Sequence, residues 1–113
     1  MEEQDFSKHL QEVTYPTKEQ ENEGWHVQGC LPKFSNQICK FDVRSMIPDD
    51  KYGLSKKIKS NSKADKIVFK TANGWFIFDN EEFLDYFKNS GKYVIDIEEI
   101  IKNTSFNWSL NLI

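Results

Sequence analysis

Arginine is almost missing from this chain. Arg44 is the only one, and the sequence also holds just two histidines, His9 and His26, two cysteines, Cys30 and Cys39, and three prolines. Each scarcity excludes something. Two cysteines cannot build a disulfide framework, and without a leader peptide they read as reduced, partly buried thiols. Their spacing is not the Cys-x-x-Cys knuckle that preorganises a thiolate pair, so His26, Cys30 and Cys39, with or without His9, do not read as a zinc site. Neither cysteine sits in a strand-turn-helix elbow that would expose a nucleophile. The five glycines are scattered, and none belongs to a phosphate-cradling loop.

Long apolar runs are missing too. No stretch reaches membrane-spanning length, and no basic start leads into an apolar segment, so neither a transmembrane helix nor a secretory leader is expected. The expected location is the cytoplasm. Lysine in place of arginine, together with frequent asparagine, is the coding bias of AT-rich genomes and suggests a phage or a low-GC bacterium.

Aromatic residues, by contrast, are plentiful: nine phenylalanines, four tyrosines and three tryptophans in 113 residues, with 38% hydrophobic residues overall. That suffices for one hydrophobic core and not for two. The strongest local signal lies at residues 67–91. Two β-prone runs, Ile67 to Thr71 and Trp75 to Phe78, flank Asn73-Gly74, the dipeptide that suits a type I′ hairpin turn. With that turn, Phe69 faces Phe78 and Thr71 faces Phe76. One face then carries Ile67, Phe69, Thr71, Phe76 and Phe78, and reads as core. The other carries Val68, Lys70, Ala72, Trp75 and Ile77, and reads as only partly covered. Asp79 followed by Glu82 is a capping-box pattern, so a helix should start there, with Phe83, Leu84 and Phe87 on its apolar stripe and Gly91 ending it.

Elsewhere, Trp25 and Val27, then Cys39, Phe41 and Val43, alternate with polar residues and predict a second hairpin. Val94 and Ile95 suggest a short strand. Asp96 and Glu99 cap a helix carrying Ile97, Ile100 and Ile101, and alternation from Phe106 to Leu112 predicts a last strand. The expected fold is α+β, an antiparallel sheet of about four to six strands with two or three helices on one face. Residues 1–24 are acidic, and Phe6, Leu10 and Val13 suggest a short helix over 5–13. That segment reads as an arm free to be mobile, with 25–113 the single folded domain.

No catalytic constellation is complete. A metal nuclease would need a carboxylate just before Lys70 on the hairpin strand, to go with an early acid such as Asp49, and that strand reads Val68-Phe69-Lys70, with no acid. The acids at both predicted helix starts are explained by the helix dipole. What remains is charge. Residues 51–70 hold seven lysines against Asp65 alone, in a chain of formal charge −3. Segregated charge steers partners. The function expected is therefore a non-enzymatic interaction protein: an inhibitor, immunity-like protein or adaptor that binds another macromolecule, with no metal or cofactor. The alternative is a nucleic-acid binder without sequence preference, using the lysine-rich segment. Either way the binding residues expected are Lys56, Lys57, Lys59, Lys63, Lys66 and Lys70, with Trp75 and Ile77 on the hairpin's second face.

Overall fold

A computed structural model describes residues 2–46, 52–53, 62–90, 94–105 and 107–111. In chain order they form α1 (Glu2–Ser7), β1 (Gln11–Thr14), a 3-10 turn (Gln20–Glu23), β2 (Val27–Cys30), β3 (Cys39–Ser45) and β4 (Tyr52–Gly53). Then come β5 (Lys66–Thr71), β6 (Gly74–Asp79), α2 (Asn80–Ser90), β7 (Val94–Ile95), α3 (Ile97–Asn103) and β8 (Asn107–Leu110). Among the described residues six strands make the main sheet in the order β1-β2-β3-β5-β6-β8, and β4 and β7 pair in a separate two-stranded sheet. The fold is α+β, as expected.

Its pairing differs in one place. β3 and β5 run parallel, from Phe41 beside Lys66 to Ser45 beside Lys70, so the sheet is mixed. Residues 46–65 lie between these strands, long enough for the crossover that a parallel pair needs. The other ladders among the described residues are antiparallel.

The hairpin of β5 and β6 forms two residues away from its expected register. Ala72 and Asn73 make the turn, Thr71 pairs with Gly74, and Ile67 with Phe78. The Thr71 hydroxyl decides this, donating to the Gly74 carbonyl at 3.0 Å and accepting from Asn73 N–H at 3.1 Å. The positive φ falls on Gly74 alone, at 137°. Glycine is also required there because the Leu110 carbonyl of β8 occupies the space a Cβ would fill. Side chains repeat every two residues, so a shift of two leaves both faces as expected.

Helices cover both faces of the sheet, which corrects the one-face arrangement. Ile67, Phe69 and Phe78 pack with Phe83 and Phe87 of α2 and with Ile97 and Ile100 of α3. On the opposite face Val43, Val68, Trp75 and Ile77 pack with Phe6 of α1 and with Leu31 from the β2–β3 connection. The capping expectations hold: Asp79 Oδ2 accepts from Glu82 N–H at 3.1 Å, and Asp96 Oδ1 accepts from Glu98 N–H at 3.1 Å. Gly91 lies outside the described residues.

The N-terminal segment is no separate arm. Its helix stops at Ser7, and Val13 and Thr14 follow the extended preference of β-branched residues as part of β1 instead of a continued helix. Phe6 is fully buried against Phe41 and Trp75, at ring separations of 5.1 and 5.2 Å. This contact also overturns the reading of the hairpin's second face. Trp75 is 1% exposed and Ile77 not at all, so neither can meet a partner.

Candidate functional site

Three of the expected binding lysines fall within the described residues, and each is held by a carboxylate. Lys70 Nζ lies 3.2 Å from Asp5 Oδ2 and 5.3 Å over the Trp75 ring. Lys66 lies 3.3 Å from Asp79, and Lys63 lies 3.6 Å from Glu23. The acids of the N-terminal segment therefore fold back onto the basic stretch. Lys56, Lys57 and Lys59 lie outside the described residues, as does Asp49.

The thiols are inert by position. Cys30 and Cys39 are unpaired and 4% and 5% exposed. Burial pushes the Cys39 thiol above its ordinary value, which keeps it protonated and unreactive. A thiol-specific reagent is expected to find no fast-reacting group in the native protein and two in denaturant; rapid native labelling of either would contradict the packing. Val27 pairs with Phe41 and Gly29 with Cys39, so Cys39 faces the α1 side of the sheet with Val27 and Phe41, while Cys30 takes the other side. Among the described residues no three of His, Cys, Asp and Glu come together as a metal site.

A different group of residues forms the candidate site. A recess of about 460 Å³ opens where α1, the end of β1, the approach to β2 and the end of β3 meet, lined by Gln4, Tyr15, Glu21, Trp25, His26 and Arg44 among others. Asp42 organises it. This carboxylate is 2% exposed and takes the guanidinium side-on, with Nε at 2.8 Å from Oδ1 and Nη2 at 3.0 Å from Oδ2. The pair is local: two residues apart on one strand is the spacing that puts both side chains on the same face. Only arginine offers this planar fork, so the chain's one arginine could not be replaced by another lysine here.

His26 completes the group. Its Nδ1 accepts from Val43 N–H at 3.0 Å and lies 3.3 Å from Asp42 Oδ1. One nitrogen cannot serve both. In the neutral ring Nδ1 accepts from Val43 and Nε2 carries the proton on the side away from that bond; in the imidazolium Nδ1–H turns to Asp42 and Val43 N–H loses its acceptor. Burial raises the Asp42 carboxyl, but the bonds from His26 and Arg44 outweigh it and hold the carboxyl below its ordinary 3.8. Arg44 is the constant contributor, since it donates in either state of the imidazole. The sign follows from the lowered value. The stabilisation is complete above the ordinary carboxyl range and disappears as pH falls through the folded value. Urea midpoints of the wild type should drop on acidification below about pH 4, and an Asp42→Asn variant should lose less over the same interval. Equal losses in the two proteins would mean that Asp42 does not carry the effect.

The lining around this fixed group mixes apolar and polar side chains, Tyr15, Pro16 and Trp25 with Gln4, Glu21 and His26. Tyr15, just past the end of β1, is 46% exposed and donates its hydroxyl to Ser7 Oγ at 3.1 Å. No family model, no curated protein and no solved structure matches the chain. The site therefore rests on its own geometry.

Sequence reasoning missed Asp42, Arg44 and Tyr15. A signal for the first two was present in Asp42-Val43-Arg44, where the chain's single arginine follows, at same-face spacing, an acid on the predicted strand that ends at Val43. Nothing in the sequence announces Tyr15, because its position depends on β1 replacing the expected helix.

Proposed function

We propose that the protein is a non-enzymatic interaction protein, an inhibitor or adaptor that engages a macromolecular partner at the recess around Tyr15, His26 and Arg44. The carrying observation is the buried Asp42 fork, which fixes polar groups in place before anything binds. Preorganisation of this kind lowers the ordering cost of association. Arginine and tyrosine are also the residues that dominate interface energies when they sit in a fixed, partly desolvated setting, and here both line one recess. The proposal places the protein inside a cell, where Cys30 and Cys39 stay reduced. A phage or low-GC bacterial source fits its lysine-rich composition.

The polyanion reading has weaker support. Lys63, Lys66 and Lys70 are already engaged by Glu23, Asp79 and Asp5, which leaves that reading to Lys56, Lys57 and Lys59. Fluorescence anisotropy with a labelled single-stranded and a double-stranded oligonucleotide separates the two. No binding at low salt is expected, and tight binding that weakens steeply as salt rises would favour nucleic acid. For the proposal itself, wild-type protein and a Tyr15→Ala, His26→Ala variant are immobilised and exposed to extract from the source cells. A protein retained by the first and lost from the second supports the assignment; equal retention on both contradicts it.

A further inference from the structure

The two edges of the main sheet are built differently. β1 is guarded: Glu12 adopts a positive φ of 56°, the register with β2 slips between Gln11 and Thr14, and a carboxylate stands at the irregularity. Bulges and charges on an edge strand are the usual defence against pairing with another chain. β8 has no such defence. It pairs with β6 without a break from Trp75 beside Leu110 to Phe78 beside Asn107, and no strand among the described residues lies on its other side. From Asn103 to Ile113 the sequence carries no charged residue and no proline, in a chain that is 29% charged.

We propose that β8 is the docking strand for β8 of a second copy of this chain, running antiparallel across a two-fold axis perpendicular to the sheet. Two six-stranded sheets would then continue as one. Self-complementarity favours a second copy over a foreign strand. With the axis at Ser109, Trp108 faces Leu110 of the other copy and Asn107 faces Asn111, so apolar meets apolar, amide meets amide, and no like charges oppose. The same operation at β1 would bring Glu12 towards its own copy across a bulged edge. Support from below is already in place, because Trp108 stacks on Phe34 at 4.8 Å with the rings 8° from parallel, and Leu110 is buried. Asn107 and Ser109 are exposed.

Sedimentation equilibrium over a wide concentration range tests this. The wild type should move from 13.3 kDa towards twice that mass as concentration rises. Asn107→Lys with Ser109→Lys changes two exposed side chains and sets like charges against each other across the axis. That variant should stay monomeric at low salt, keep the wild-type far-UV spectrum, and recover some dimer at high salt. Glu12→Lys, on the other edge, should dimerise as the wild type does. A wild type that stays at 13.3 kDa throughout overturns the proposal, and so does a double-lysine variant that dimerises unchanged. If the double variant does not fold, amide exchange in the unaltered protein decides. Protection across Asn107–Leu110 should rise with protein concentration, and concentration-independent exchange there would be equally fatal.

Discussion

Replacing Asp42 with alanine is expected to cost about 3–5 kcal/mol of folding free energy, the range seen when one partner of a buried ion pair is removed. The side chain of Arg44 is only 14% exposed, so its guanidinium cannot regain full hydration when the carboxylate goes. Val43 N–H keeps its bond to His26 in the neutral ring, which confines the damage to the fork. Asp42→Ala combined with Arg44→Met should recover a large part of the loss, because an apolar pair carries no stranded charge. For contrast, Lys8→Ala should change little: its partner Asp5 is 3.8 Å away on an exposed surface. Urea denaturation of the four proteins measures all of this. An Asp42→Ala loss no larger than that of Lys8→Ala would contradict the fork as an organising element.

Phe6→Ala carries the other large effect. Truncating a fully buried phenylalanine costs about 3–5 kcal/mol from lost transfer energy and the cavity left behind. The rings of Phe41 and Trp75, which Phe6 separates from solvent, cannot collapse into the gap, since both are held in sheet register. The same substitution tests the N-terminal segment as part of the fold. Loss of Phe6 should also release α1, expose Trp75, and free Lys70 from Asp5, so Trp fluorescence should red-shift before the main unfolding transition. A variant within about 0.5 kcal/mol of the wild type would return residues 1–24 to the status of a loose arm.

Most of the scaffold is readable from local chemistry. Period-two alternation exposes the strands at 27–30 and 39–45, and the acids at Asp79 and Asp96 mark both helix starts, because these signals act within a few residues. The faces of the hairpin survive an error of two in register for the same reason. What local chemistry does not reveal is the partner of each face. Trp75 and Ile77 look available until Phe6, distant in sequence, is seen to cover them. The parallel pairing of β3 and β5 is equally hidden, since alternation is the same in either direction.

The site shows a similar division. Lysine clustering at 51–70 is visible in the sequence, but its neutralisation is not: Lys70 finds Asp5 across the chain, and Lys63 finds Glu23 through a backbone contact between the same two residues. Asp42 and Arg44 carry a legible signal at same-face spacing. Their burial and the neighbouring His26 and Tyr15 are set by tertiary pairing of β1, β2 and β3, which no short window contains.

The most direct test of the recess as the recognition surface is site-specific photocrosslinking in the source cells. A photoreactive amino acid is placed at Tyr15, and in a second protein at Asn89, an exposed residue on α2. One discrete crosslinked species is expected from position 15 and none from position 89, with the species lost when His26→Ala is combined with the position 15 probe. A discrete species from position 89 with none from position 15 would contradict it.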